Sequence, residues 1–333
     1  MFRFKFVMDY FQAPAMSGPF AEANMRAKWL PRFCPPDIQI AFAPNPGQMP
    51  LYTDKAMLVG KEDWGWWNHY VQNYTSDFQV EKGHLWSTGP NFDQNRPAER
   101  YVPLVVYSQF QKNYMIESGY PAHLMHIIPN MVDGEIFYPR PKRNVVTVGW
   151  VGHDQYGLLK GPEVMPFLAR RFPDTRFEMI MAPPPTNQNG WLNDHPPNLV
   201  IHTNVPHNQM ADIVGSWHVM VCGSKSETFS NQIAEAMACG VPVVAASMGA
   251  IYDTAPSQRL IFDVNWGSPP HWWTSEALEK YAAALQEVLS FDAYRNYLSE
   301  MALLESKRFT PEVVCKKWYD FIYLCRDIME RGG

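Results

Sequence analysis

The chain has 333 residues, of which 46% are hydrophobic and 18% charged, with a formal net charge of −5. That length suits two domains of about 150 residues each, and the acidic balance argues against a general nucleic-acid binder, which carries a basic face. No apolar run reaches the ~18 residues of a membrane span, and the five cysteines (Cys34, Cys222, Cys239, Cys315, Cys325) form an odd set without a Cys-x-x-Cys pair. Packed thiols in a reducing, cytoplasmic setting are therefore expected. Residues 1–142 hold 13 Lys+Arg and 13 Asp+Glu, so the surplus acid falls in the second half.

Residues 2–9 alternate and then run apolar, as a buried strand would; Arg3, Lys5 and Asp9 argue against a signal peptide. A loop over 12–19 with Pro14, Gly18 and Pro19 leads to helical spacing over 20–30. A strand, loop and helix in that order are the usual opening of a doubly wound α/β domain. Residues 56–59 and 104–107 suit later strands, and 110–118 a helix ended by Gly119, while 61–100 carry no assignable pattern. The polar, proline-rich run 139–144 reads as a linker. Beyond it the alternation is clearer: a strand at 145–151, a helix to about 171, and a strand at 176–181 ending at Pro183-Pro184-Pro185. A strand at 199–202 and a helix near 209–215 follow, then a strand at 217–222, a loop at 223–229 and a helix capped by Ser230 or Asn231. Gly240 suits the left-handed residue after that helix, and 241–246 a buried parallel strand. Amphipathic helices are expected over 275–289, 293–307 and 311–330.

Glu227 and Glu235 stand in this loop and helix with seven residues between them. A helix N-terminus offers free N–H groups and a positive dipole end that suit a phosphate. A carboxylate beside it is costly unless it grips hydroxyl groups, as on a ribose or hexose. The run SETFSNQIAEAMACGVPVVAAS (226–247) resembles the Glu-x7-Glu segment of retaining GT-B glycosyltransferases, in particular glycosyltransferase family 4 and its relatives. EAMACGVPVVA (235–245) continues the match. Two further segments fall in the same order: 108–139, with Ile128-Pro129-Asn130 and Val132-Asp133, and VVTVGWVGHDQYGLLKG (145–161). The resemblance runs from about residue 101 onward.

It implies an α/β fold of GT-B type, with two Rossmann-like doubly wound domains facing across a cleft. An acceptor-side domain would span 1–142 and a nucleotide-sugar domain 143–308, and a helix at 309–333 would cross back onto the first. It also implies transfer of a hexose-type sugar from a nucleoside diphosphate donor to a hydroxyl of a glycan, lipid or other acceptor, with retention. In that family the first glutamate meets the donor sugar and the second the ribose, which gives Glu227 and Glu235 those roles. Lys160, before Gly161 and a proline-started helix, corresponds to the lysine on the diphosphate. The backbone of Thr228, Phe229 and Ser230, with the Asn231 amide, would face the donor. Ser17 and Gly18 stand where the family keeps a Gly-rich loop, and His84 where it keeps a histidine near the reacting carbon, with Glu62, Asp63 and His69 competing. Glu227, Lys160 and His84 are thus the expected catalytic residues.

One departure concerns the arginine that the family carries a few residues before the lysine. Gly152-His153-Asp154 stands there, so a protonated His153 or another basic residue replaces it, or the loop binds only weakly. The chain has no Asp-x-Asp, so basic side chains and helix N-termini rather than a metal are expected to neutralise the leaving diphosphate. No metal or cofactor beside the donor is expected; His123 and His126 lack the neighbours of a metal site. Trp64, Trp66 and Trp67 suit either an acceptor platform or core packing, as do Trp272 and Trp273. The alternatives are a nucleotide-sugar epimerase or hydrolase, and a binding protein without turnover, prompted by the missing arginine. A hydroxylated base in DNA is an alternative acceptor, disfavoured by the neutral first half.

Overall fold

The computed structural model describes residues 2–7, 18–43, 56–60, 79–82, 104–117, 121–154, 159–187, 190–267 and 273–331. The chain divides into two units, one of Met1–Met131 with Phe309–Gly333 and the other of Val132–Arg308.

Unit 1 carries six parallel strands, β1 (Phe2–Val7), β2 (Ile38–Ala43), β3 (Ala56–Gly60), β4 (Gln79–Lys82), β5 (Leu104–Val106) and β6 (Met125–Ile127), in the order β2-β1-β3-β4-β5-β6. Helix α1 (Gly18–Trp29) follows β1, and α2 (Gln109–Glu117) joins β5 to β6. Gly18 is thus the first residue of a helix, where sequence reasoning has it in a loop. Strands β2, β4 and β6 are additions to the expected set, and β4 falls inside the unassigned 61–100 stretch. The last helix, Pro311–Arg331, completes this unit. Val314, Trp318, Phe321, Ile322 and Cys325 recur at helical spacing and pack with Trp29, Leu30, Ile38 and Val105. Tyr319 donates its hydroxyl proton to the Leu30 carbonyl, and Tyr323 and Arg326 both bond Asp37.

Unit 2 carries β7 (Thr147–Gly152), β8 (Arg176–Met181), β9 (Leu199–Thr203), β10 (Val219–Cys222), β11 (Val243–Ala246) and β12 (Arg259–Ile261). Its helices are α3 (Val164–Arg171), α4 (His207–Val214), α5 (Asn231–Ala238), α6 (Ile251–Thr254), α7 (Ser275–Ser290) and α8 (Asp292–Ser306). The sheet order is β12-β11-β10-β7-β8-β9, all parallel. The chain thus builds outward from β7 in one direction, then returns to lay β10 on its other side, which is the doubly wound Rossmann arrangement. Ligands in such sheets bind beyond the carboxyl ends of the two strands flanking that reversal, here β7 and β10.

Near-continuous burial on both faces explains why these strands read as apolar runs: every residue of β10 and of β11 is buried. Tyr281, fully buried on α7, donates to the Cys222 carbonyl at 2.9 Å and accepts from the Ala246 amide at 2.9 Å, fixing the carboxyl ends of β10 and β11. In β8, Glu178 is fully buried and accepts from Arg176 Nε at 2.6 Å, Trp217 Nε1 at 2.9 Å and Arg143 Nη2 at 3.1 Å.

The boundary between the units falls at Met131/Val132, eleven residues before the boundary expected at 142/143. Residues 132–143 adhere to unit 2 through several contacts. Phe137 packs edge-on against the His207 ring, Arg140 pairs with Asp212 at 2.9 Å, and Lys142 Nζ donates to the Gly215 carbonyl at 3.1 Å. A polar, proline-rich composition marks a chain without regular structure, and here that chain is docked rather than free.

Candidate functional site

Beyond the carboxyl ends of β7 and β10 two loops press backbone on backbone. Gly161 has φ +63°, and a Cβ there would lie 2.2 Å from the Gly223 carbonyl oxygen; one on Gly223 would lie 2.5 Å from that of Gly161. Only glycine fits either position. The Lys225 amide donates to the Leu159 carbonyl at 3.0 Å, and Trp150 Nε1 to the Lys160 carbonyl at 3.3 Å. This contact brings Lys160 Nζ to 2.7 Å from Glu227 Oε1, although the two residues are far apart in the chain. Gln232 Nε2 donates to the same oxygen at 2.9 Å. The Glu227 backbone is fixed as well: its carbonyl accepts from the Ala250 amide at 2.8 Å, and Gly249, at φ +56°, leaves no room for a Cβ against it.

The loop then enters α5. Thr228 and Phe229 are buried, and Ser230 is the extended N-cap residue. Its side chain makes no cap bond, and its fully buried Oγ has no partner among the described residues. A buried hydroxyl at a helix N-terminus, on the end of the helix with free N–H groups, is a place where an anion or a sugar hydroxyl finds donors. Asn231 opens the helix. Ile233 and Met237 face the core, and Gly240 takes the left-handed conformation just past the helix at φ +65°.

Glu235 lies on the more open side of α5. His207 Nε2 stands 3.0 Å from its Oε1. Burial would lower the pKa of this histidine, but the hydrogen bond and charge of Glu235, with the charge of Asp133, outweigh that and hold it above the ordinary value. Sequence reasoning missed His207 because it starts the expected 209–215 helix two residues later; the one available signal was Pro206 immediately before it.

At the position of the absent arginine, burial lowers the His153 pKa and the Lys160 cation lowers it further, against Glu227 and Asp154. The imidazole is therefore neutral at neutral pH. Asp154 is fully buried, and its Oδ2 accepts from Thr186 N (2.6 Å), Thr186 Oγ1 (2.9 Å), Asn187 N (3.1 Å) and Trp191 Nε1 (3.2 Å). It ties the β8–β9 connection to the end of β7. A second basic residue that the sequence did not single out is Lys225, whose Nζ stands 3.8 Å from Glu163 Oε1 and 5.9 Å from the Trp273 ring centre. Burial pushes its pKa down to about 8, with Glu163 opposing. Ser17, His84, Glu62, Asp63, His69, the tryptophans 64, 66 and 67, and Trp272 lie outside the described residues. His126 packs against the Phe321 ring at 5.0 Å. Among the described residues no three His, Cys, Asp or Glu side chains gather as a metal site.

Residues 142–289, all within unit 2, match the family model described as glycosyl transferases group 1. Two curated relatives, each a subunit of phosphatidylinositol N-acetylglucosaminyltransferase, are 26% identical to this chain. The protein of Arabidopsis thaliana matches over 162 residues and that of Homo sapiens over 163, each 45% of this chain. The match spans about a third of their length, 36% and 33%. Among solved structures, a sucrose-phosphate synthase from Thermosynechococcus elongatus superposes with a TM-score of 0.72 over 98% of this chain and 100% of its own. A glycosyltransferase from Rickettsia africae gives 0.73 over 97% and 98%. Anabaena HepE in complex with UDP and glucose gives 0.68 over 97% and 100%. All three are 14% identical, a likeness of fold, and that fold is the GT-B arrangement of two Rossmann-like domains.

Proposed function

We propose that this protein moves a hexose-type sugar from a nucleoside diphosphate sugar to an acceptor hydroxyl, with retention at the anomeric carbon and without a metal. The observation that carries this reading is the Lys160–Glu227 pair at 2.7 Å beyond the strands that flank the chain reversal, in a unit that matches glycosyl transferases group 1. An arriving diphosphate competes for the Lys160 ammonium, and the same exchange releases Glu227 Oε1 to accept from sugar hydroxyls. The Ser230 hydroxyl and the N-terminal end of α5 add donors for the diphosphate or sugar, and Glu235 accepts from the ribose. In the reaction the bond from the anomeric carbon to the phosphate oxygen breaks and the acceptor oxygen bonds the same carbon on the same face. The acceptor proton passes to the departing phosphate. Negative charge grows on that phosphate, so Lys160 and the helix end act most strongly in the transition state.

UDP is the first nucleotide to test, because HepE is a neighbour in fold and its structure holds UDP. A lipid-borne hydroxyl is the first acceptor class to test, from the names of the curated relatives. Five unpaired thiols, four of them buried, support a cytoplasmic setting. Incubation with labelled nucleotide sugars, with and without acceptors, tests the proposal: labelled product sustains it, and free sugar alone points to hydrolysis. Binding without turnover is the second reading. It is favoured by a neutral His153 and by a Lys160 already matched to Glu227, which leave less positive charge for the leaving group.

A further inference from the structure

We infer that His207 is a positioning residue for Glu235, holding its carboxylate so that the free oxygen meets a nucleotide ribose and making the subsite prefer ribose to deoxyribose. This rests on the assignment of Glu235 to the ribose. The pair joins two helices: His207 is the first residue of α4, and Glu235 stands on the second turn of α5. Glu235 Oε1 is engaged by His207 Nε2 at 3.0 Å, whereas Oε2 has no hydrogen bond among the described residues, and the side chain keeps 14% exposure. One oxygen is thus anchored and the other is unengaged among the described residues, on a side chain that is not fully buried.

The imidazole is itself held. Pro206 fixes the backbone before it, and the buried Phe137 ring meets it edge-on at 5.2 Å. A glutamate on a helix surface samples several rotamers, and ordering it on binding costs affinity. A carboxylate already fixed by a charge-assisted bond avoids that cost, in the way an outer partner orients a metal ligand. Two hydroxyls of a ribose present two donors to a carboxylate whose orientation is set; a deoxyribose presents one fewer.

Protonation belongs to the same device. The charged groups acting on His207 are Glu235 on α5 and Asp133 on the segment leading into the unit. On its own helix Asp212 is taken by Arg140, and Cys239 at the C-cap of α5, pushed up to about 12 by burial, stays neutral. An imidazolium beside Glu235 offsets the repulsion between that carboxylate and a diphosphate. Affinity should therefore fall as pH rises through the raised pKa of His207.

Calorimetric titration of the full chain with UDP, GDP and ADP and their 2′-deoxy counterparts tests this, using the pair that wild type binds best. Wild type should prefer the ribonucleotide roughly tenfold, the worth of one charge-assisted hydrogen bond. His207→Ala should reduce that preference to about twofold or less, its fold checked by circular dichroism. His207→Gln, whose amide can still donate to Oε1, should keep the preference but lose most of a roughly three- to tenfold decline in affinity between about pH 6.5 and 8.5. Ribose preference and pH dependence equal to wild type in both variants would overturn the inference while leaving Glu235 on the ribose. A wild type that binds no nucleoside diphosphate, or binds without ribose preference, refutes the Glu235 assignment and this inference with it.

Discussion

Lys160 and Glu227 are each other's counter-ion, so a change at either alters both. Lys160→Ala should lower turnover on the order of a hundredfold, because an electrostatic donor to the developing charge is lost, and should weaken donor binding much less. Equal losses in kcat and in affinity would mean that the lysine holds the ground state only. Glu235→Ala should weaken nucleoside diphosphate binding roughly ten- to a hundredfold, as expected for a charge-assisted bond of about 1.5–3 kcal/mol. Calorimetry reads this directly. His153 gives a prediction of opposite kind. Its pKa is lowered, so it is already neutral from about pH 7 upward, and His153→Gln should leave the pH–rate profile above that point unchanged. A shifted alkaline limb would restore it as the substitute for the missing arginine. The two glutamates and Lys160 were legible because each stands in a contiguous run whose spacing is visible in one dimension. His207 and Lys225 were not, because their meaning lies in partners 28 residues away on another helix and 62 residues back in another loop.

At the scale of elements, two glycines decide whether the pair can form. Gly161→Ala puts a Cβ 2.2 Å from the Gly223 carbonyl at a positive φ, so the two loops must part. It should cost about 1–3 kcal/mol in stability and reduce activity disproportionately, since Lys160 is its immediate neighbour. Thermal melting beside an activity assay separates the two effects. At β8 the buried Glu178 governs acid stability. Burial would raise its pKa, but Trp217, Arg176 and Arg143 outweigh it and hold the carboxyl below the usual range. Its contribution is therefore present above the ordinary carboxylate pKa of about 4.3 and is lost as pH falls through the lower folded value. Glu178→Gln should cost about 2 kcal/mol, less than the about 3–5 of a wholly buried pair, because Arg143 and Arg176 keep 35% and 39% exposure. Equilibrium unfolding in urea at pH 7 and pH 4 measures this, with the gap between variant and wild type expected to narrow at the lower pH. The strands of unit 2 were readable as apolar runs bounded by turns. In unit 1, β4 and β6 have four and three residues, too short for any period to register, and pairing with neighbours rather than local pattern defines them.

For the whole molecule, unit 2 is one continuous piece of chain with its own core around Trp150, Phe177, Val221 and Leu285. A fragment of residues 132–308 should therefore fold alone and bind nucleoside diphosphate, whereas a chain ending at residue 308 should lose the fold of unit 1. That shortened chain lacks Trp318, Phe321 and Ile322, and replacing even one large buried aromatic by alanine typically costs about 3–5 kcal/mol. Two separate transitions in calorimetry of the full chain, with the higher-numbered piece matching one of them, would bear this out; failure of the fragment to fold would refute it.

The interleaving of the units also sets an order of events at the ribosome. Residues 1–131 emerge before unit 2, but the helix that seals them begins at Pro311, after all of it. At about 5–20 residues per second the delay is roughly ten to forty seconds, long enough for unit 2 to finish folding on its own. During that interval Trp29, Leu30 and Ile38, which the last helix will cover, are open apolar surface. Unit 1 thus begins before unit 2 and is completed after it, and those side chains are what a chaperone meets on the nascent chain.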